Sequence, residues 1–262
     1  MIIDSHVNLH APQFDEDRDA VIARARKAGV QLMVEISDKL STFEATHGLA
    51  MAHDDIWCTV GAHPHEAKDH VDLTVERLIE LAARPRVVGI GECGLDFHYD
   101  LSPRDVQAAV FRTHIHAARR SGLPLVVHTR EADDVMAGIL AEEQADGPFR
   151  FLMHCYTSGP ELAEKAAEMG AWFSVSGIAT FKAANDVREI VAGMPPERII
   201  VETDCPYLAP MPHRGRRNEP AYVVHVLDKL AEIRGWSRDE TEARTTDAFF
   251  ALFDRIPRPG GT

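Results

Sequence analysis

The sequence predicts an α/β chain folded as a (β/α)8 barrel of the TIM type. Short apolar, β-branched runs alternate with amphipathic stretches about eight times along it. The length, 262 residues, is that at which eight such units close into one domain, about 250 residues. No glycine-rich phosphate loop follows the first run, which lowers the rival reading of a doubly wound nucleotide-binding sheet. One domain is expected over residues 1–255, followed by a flexible tail over 256–262.

Each element has a local reason. Ile2 to Val7 reads as the first strand. Asp15 to Ala28 reads as a helix, with Val21, Ile22 and Ala25 on one face and Gly29 as its stop. A strand is expected from Val30 to Ile36, a helix from Ser41 to Ala52, and a strand from Ile56 to Ala62 that runs into His63-Pro64-His65. Leu73 to Ala83 is a helix stopped near Pro85. The next run, Val87 to Asp96, is apolar but carries Glu92 between Gly91 and Gly94. Ser102-Pro103 predicts an N-cap with proline at the first helical position, the helix ending at Gly122. Leu125 to His128 is the fifth strand, with a helix over about 132–143. Phe149 to His154 is the sixth, with a helix over 161–169 closed by Gly170. Ala171 to Ser176 is the seventh, with a short helix over 186–192. Ile199 to Asp204 is the eighth, and two helices close the chain, about 222–234 and 238–253.

Bulk composition excludes several functions. The formal charge is −13, which argues against wrapping duplex nucleic acid or binding an anionic membrane. No run of about 18 apolar residues exists, so no membrane span is expected. Met1 leads directly into a strand with no basic or apolar leader, so no secretory signal is read. Cys58, Cys93, Cys155 and Cys205 stand singly, with no CxxC pair; free thiols and a cytoplasmic location are expected. A monomer is the favoured oligomeric state.

The polar residues fall where a barrel places its chemistry, at the C-terminal ends of the strands. His6 ends the first strand, His63 and His65 follow the third, Glu92 ends the fourth, His128 the fifth, His154 the sixth and Asp204 the eighth. One histidine beside an apolar run is usually structural. Several such groups on successive strands predict a divalent-metal site, since imidazole and carboxylate together suit such cations. A carboxylate on a buried strand also needs a positive partner, and no basic residue lies within five positions of Glu92. Glu92 bridging two metals about 3.5–4 Å apart would account for its place at the centre. Ligand type alone leaves phosphodiester, ester and amide hydrolysis open.

The segments Asp4-Ser5-His6-Val7-Asn8-Leu9, Gly61-Ala62-His63-Pro64-His65, Gly91-Glu92-Cys93-Gly94-Leu95-Asp96, Val127-His128-Thr129-Arg130, Met153-His154-Cys155-Tyr156 and Glu202-Thr203-Asp204-Cys205-Pro206-Tyr207-Leu208, with Arg216-Arg217-Asn218-Glu219-Pro220 after them, resemble the TatD family of metal-dependent hydrolases. They run in family order from Asp4 to about Phe253. The resemblance implies a TIM barrel and a deoxyribonuclease that cleaves phosphodiester bonds of single-stranded DNA, or RNA, from the 3′ end. It implies one or two divalent ions, Mg2+, Mn2+ or Zn2+. By the same resemblance Glu92 bridges two metals, His128 and His154 complete one site, and His6 and Asp204 the other. Asp204 would also activate water, and His63 would contact substrate phosphate. Many family members carry His-x-His on the first strand. Here Asn8 stands in the second position, a neutral and weaker ligand, so the His128/His154 half of the bridge is the firmer one. His10 lies past the strand end and is a poor substitute.

Other residues keep two readings. Asp4 is expected to support a ligand histidine rather than form a salt bridge. Asp96 is expected to position a loop. Arg130 either grips a phosphate or pairs with Glu131. The run His213-Arg214-Gly215-Arg216-Arg217 is the densest basic stretch; its place after the eighth strand favours Arg216 and Arg217 as phosphate contacts over a solvated loop. His98, Tyr99 and Tyr156 either stack on bases or pack. Trp57, Trp172 and Trp236 read as anchors. The chain is therefore expected to be a phosphodiesterase with Glu92 and Asp204 catalytic. An amide, ester or lactone hydrolase of small molecules on the same metals is the alternative, and a non-enzymatic metal-binding adaptor a third reading.

Overall fold

The structure, a computed structural model, describes residues 1–259. Eight strands form one parallel sheet in the order β1 to β8: β1 Ile2–Val7, β2 Val30–Glu35, β3 Ile56–Val60, β4 Val87–Asp96, β5 Leu125–Arg130, β6 Phe151–Met153, β7 Trp172–Val175 and β8 Ile199–Val201. Nine helices follow or join them among the described residues: α1 Arg18–Lys27, α2 Phe43–Ala52, α3 Val75–Ala82, α4 Arg104–Ser121, α5 Asp133–Asp146, α6 Pro160–Glu168, α7 Asn185–Gly193, α8 Val223–Arg234 and α9 Arg238–Leu252. The barrel closes at its C-terminal rim. The Asp204 N–H donates to the His6 carbonyl and the Asn8 N–H to the Cys205 carbonyl, both at 3.0 Å. The predicted (β/α)8 barrel is thus the observed fold.

The apolar runs are buried on both faces, as parallel strands covered by helices must be. Ile3, Leu32, Val34, Val88, Val126, Leu152 and Ile200 form a cluster with Phe249 and Leu252 of α9 and with Phe253 just after it. That helix covers the end of the barrel where the strands begin: Thr246 Oγ1 donates to the Met1 carbonyl and Trp172 Nε1 to the Ala248 carbonyl. With one mouth plugged by apolar side chains, the polar strand ends lie at the other. Among the described residues no helix is long and apolar enough to cross a membrane, and all four cysteines are free.

Several boundaries differ from expectation. The first helix starts at Arg18, because Pro12–Phe14 spend the preceding residues in a 3-10 turn. β5 runs on to Arg130, paired with Asp96, whereas β8 stops at Val201. Ser102 is not the cap of α4; Pro103 holds that position. The buried Ser102 hydroxyl instead donates to the His65 carbonyl and accepts from the Lys68 N–H, so it anchors the loop that carries His63 and His65. At the other end, Ile256 is 3% exposed in the α9 cluster, so the packed chain passes the expected boundary at 255. The last part of the expected tail, 260–262, lies outside the described residues.

Candidate metal centre

Glu92 lies in the middle of the open mouth, 6% exposed. Two glycines let it sit there. Gly91 has φ +123°, and a Cβ on it would come within 2.6 Å of the Val126 carbonyl. Gly94 has φ +141°, and a Cβ on it would overlap the His128 carbonyl oxygen. Only glycine tolerates such backbone at such closeness. The result is that β4 and β5 approach tightly and His128 faces Glu92.

Four imidazoles surround that carboxylate. His154 Nε2 is 2.9 Å and His128 Nδ1 3.1 Å from Glu92 Oε1, and His63 Nε2 is 3.6 Å from the same oxygen. His6 Nε2 is 3.4 Å from Oε2 and 3.5 Å from Asp204 Oδ1. Burial opposes ionisation of Glu92, but the imidazoles of His154, His63 and His6 and the hydrogen bond to His128 hold its carboxyl well below the usual range.

The donor set fits a divalent ion, and His6 shows it best. It is wholly buried, yet neither ring nitrogen has a hydrogen-bond partner. Its ring stacks on His154 at 4.1 Å, an arrangement that two protonated imidazoles would resist. A buried polar atom without a partner costs about 1–3 kcal/mol. Donor atoms around one tetrahedral ion, each at about 2.1 Å from it, lie about 3.4 Å apart, the scale of the His6 distances to Glu92 and Asp204. Two sets of atoms lie close enough to share an ion: His6, Glu92 and His154, and His63, Glu92 and His128. Glu92 is common to both, as a bridging carboxylate would be. His154 lies within reach of the set with His6 and also shares with His128 the Glu92 oxygen Oε1, whereas His6 approaches Oε2 and Asp204.

The tautomer of His63 separates it from the other histidines. Its Nδ1 accepts from the His65 N–H at 3.1 Å. Burial lowers its pKa to about 3, so the ring is neutral and its single proton sits on Nε2. That nitrogen then donates into the mouth, which leaves Glu92 and His128 as the ligands of the second set.

Carboxylates behind the centre hold the rings. Glu202 Oε1 meets His154 Nδ1 at 3.1 Å, and Ser174 Oγ donates to Glu202 Oε2 at 2.6 Å. Asp96 Oδ2 meets His128 Nε2 at 3.2 Å and His65 Nε2 at 2.8 Å, while its Oδ1 accepts from the His98 and Tyr99 N–H groups. Asp96 therefore both shapes its turn and steers His128. Asp4 supports His6 through the backbone, accepting from the His6 N–H at 3.3 Å and from Thr203. Glu202 was the residue sequence reasoning passed over. Its signal was present, a carboxylate directly after Ile199-Ile200-Val201, the same pattern that exposed Glu92. Burial pushes the Asp204 carboxyl up to about 6 against the pull of His6 and His154. Asn8 Nδ2 donates to Asp204 Oδ1 at 3.4 Å and to the Cys205 carbonyl at 3.1 Å, so Asn8 orients Asp204. His10 is committed to Glu35 and Asp38.

The basic candidates divide. Arg130 is exposed, and its guanidinium lies over the Tyr99 ring with no hydrogen bond or ion pair among the described residues; Glu131 pairs with His98 instead. Arg216 is exposed on its loop. Arg217 is held by Asp17, by the Gln13 carbonyl and over the Phe14 ring, a clamp between the β8–α8 loop and the start of α1 that leaves its guanidinium little to offer a phosphate. Tyr156 is buried with its hydroxyl donated to the Gly159 carbonyl, which removes it as a stacking surface.

The family described as TatD related DNase matches residues 3–254 of this chain. The chain is 38% identical over 253 residues to a Bacillus subtilis (strain 168) protein named uncharacterized metal-dependent hydrolase YabD, with 97% of this chain and 99% of the relative covered. It is 33% identical over 259 residues to the Klebsiella pneumoniae (strain 342) protein named 3′-5′ ssDNA/RNA exonuclease TatD, covering 96% and 97%. Among solved structures, YJJV, a TatD homologue from Escherichia coli K12, matches with a TM-score of 0.90 at 26% identity over 98% of both chains. An organophosphorus hydrolase from Deinococcus radiodurans matches with a TM-score of 0.67 at 14% identity over 96% of this chain and 92% of that one, a likeness of fold alone.

Proposed function

The chain belongs to the TatD related DNase family of metal-dependent hydrolases, and on that premise we propose that it is a 3′-5′ exonuclease acting on single-stranded DNA or RNA in the cytoplasm. The observation that carries the reading is the unpaired guanidinium of Arg130, two residues beyond His128 at the mouth of a metal cradle. In a chain of net charge −13, a cation left free beside such a centre suits a phosphate.

In this reading Glu92, His6, His154, His128 and Asp204 would hold one or two divalent ions. Bound divalent ions supply polarisation of water and neutralisation of charge on the phosphoryl oxygens. Asp204 accepts the proton of the attacking water. His63 Nε2–H donates to a phosphoryl oxygen. Glu202 and Asp96 fix the orientation of His154 and His128, and Asn8 that of Asp204. Arg130 grips the substrate backbone, and Arg216 of the β8–α8 loop joins it.

The test is release of mononucleotides from single-stranded oligonucleotides, blocked at either end, with Mg2+ or Mn2+. Release abolished by a 3′ block and by Glu92→Gln is the expected result. Hydrolysis of small esters or lactones, with no oligonucleotide cleaved under any divalent metal, would overturn the reading.

A further inference from the structure

β2 lends no side chain to either donor set around Glu92, yet a cluster of charged groups that the proposed reaction does not use holds its end. Glu35, the last residue of β2, is wholly buried. Its Oε2 accepts from the Leu9 N–H at 2.8 Å and its Oε1 from the His10 N–H at 2.8 Å. His10 Nδ1 stands 2.6 Å from the same Oε1, and His10 Nε2 stands 3.3 Å from Asp38 Oδ1. Both ring nitrogens thus face carboxylates, and an imidazole that donates from both is charged. Burial opposes that charge, but the bonds to Asp38 and Glu35 bring the His10 pKa up to about 9. The two carboxylates bound one short stretch of chain, Glu35 to Asp38. One ring, from the loop after β1, pins both ends of it.

What this stretch offers the centre is backbone. The Asp38 carbonyl accepts from the His63 N–H at 2.8 Å, and the Ser37 carbonyl from the Glu92 N–H at 3.1 Å. The two carbonyls have different supports. Ser37 is held from the end of β3, its N–H donating to Thr59 Oγ1 at 3.2 Å and its hydroxyl to the Gly61 carbonyl at 3.0 Å. The Asp38 carboxylate is held by His10 and by the Thr42 hydroxyl, which donates to it at 2.7 Å. His10 therefore bears on the carbonyl behind His63 more than on the one behind Glu92. Since His63 Nδ1 is already fixed by the His65 N–H at 3.1 Å, the backbone of His63 decides where its Nε2 points.

We propose that His10 is a positioning residue for His63: by clamping Asp38 to the end of β2 it steadies the carbonyl that takes the His63 N–H, and so aims His63 Nε2 into the mouth. The inference rests on the reading of His63 as the donor to a phosphoryl oxygen, and it gives the strand without a ligand a part in the reaction.

The test is His10→Gln in the full chain. A glutamine has one donor nitrogen and no charge, so it serves one carboxylate and leaves the other. Amide hydrogen exchange of the metal-free protein, read by NMR, is expected to quicken about tenfold at His63, the worth of one hydrogen bond. The Glu92 and His154 amides are expected to exchange as in wild type, and Mn2+ titrated into the metal-free protein to bind with wild-type affinity. With Mn2+ and single-stranded oligonucleotides, kcat/KM is expected to fall about tenfold, less than the 10²–10³-fold for loss of a donor outright. Exchange at His63 equal to wild type overturns the inference, as does a quickening shared by Glu92 and His154 or a parallel loss of Mn2+ affinity, since those mark a general loosening. If His10→Gln does not fold, Asp38→Ala reads the same comparison, because it leaves the Glu35–His10 contact and the backbone carbonyl in place. If wild type cleaves no oligonucleotide, the exonuclease reading fails by itself, and the exchange and Mn2+ measurements, which need no substrate, still decide whether His10 holds His63.

Discussion

Glu202 offers a sharp test of how the centre is held, because it touches no substrate in the proposed reading and acts only through His154. Glu202→Gln keeps the shape and removes the charge. In the native protein Glu202 Oε1 receives the His154 Nδ1 proton at 3.1 Å and Oε2 receives the Ser174 hydroxyl proton at 2.6 Å. Ser174 Oγ in turn accepts from the Cys155 N–H at 2.9 Å. A glutamine can keep its oxygen toward His154, but its amide then donates to Ser174 Oγ, whose own proton loses its acceptor. The ionised acceptor becomes a neutral one, roughly half as strong, so His154 is less basic and less firmly aimed. Loss of such a partner lowers metal affinity about 10–100-fold, or about 1.4–2.7 kcal/mol. Titration of metal-free protein with Mn2+ or Zn2+, followed by calorimetry, reads this directly, and circular dichroism checks that the fold is kept. A dissociation constant equal to wild type in a folded Glu202→Gln protein would refute the claim that Glu202 works through the His154 imidazole.

Four further outcomes are expected. His63→Gln should leave metal affinity unchanged while kcat/KM falls about 10²–10³-fold, since His63 is a donor and not a ligand; a parallel loss of metal binding in titrations would contradict its tautomer. Chelation should lower the melting temperature, because it strands His6 Nε2 without a partner; an ion present at 100 times its dissociation constant stabilises by about 2.7 kcal/mol, and superimposable melts with and without EDTA would count against the cradle. Gly94→Ala should cost about 2–5 kcal/mol in urea unfolding, as its Cβ would overlap the His128 carbonyl; a midpoint unchanged from wild type rejects the close β4–β5 contact. Burial lowers the pKa of His114 to about 4, and its Nε2 accepts from the Ala62 N–H at 3.0 Å. The unfolded chain, with an ordinary value of 6.5, therefore binds the extra proton. The His114 contribution is complete above pH 6.5 and is lost as pH falls toward 4, about 2 kcal/mol by pH 5. His114→Gln should flatten that part of the stability profile, and an unaltered profile would be the contrary result.

The barrel was legible because its elements obey local rules. Strands buried on both faces read as unbroken apolar runs, and glycine or proline punctuates the helices between them. The metal-centre residues were legible for a complementary reason: carboxylates and imidazoles at the ends of apolar strands conflict with their surroundings, and a conflict of that kind shows in one dimension. Glu92, His6, His128, His154 and Asp204 stand out this way and meet in space. What was not legible were relations between groups far apart in the chain. Arg217 and Arg130 look alike in sequence, yet one is neutralised by Asp17, 200 positions away, and the other is free. Ser102 looks like a helix cap and is a buried brace for the His65 loop. His63 and His128 both follow strands, but the His65 N–H decides that His63 carries its proton on Nε2. Asn8 looked like a weakened ligand and proves to hold Asp204.

The sequence by itself determined the alternation of strand and helix, and with it the rim at which the polar strand ends collect. Those depend on neighbours within a few residues, where steric and hydrophobic patterning act. The tertiary structure alone decided which imidazoles share Glu92 and which arginine near the mouth is neutralised. Hydrogen bonds, ion pairs and burial join residues by distance in space, and the chain carries no local trace of them.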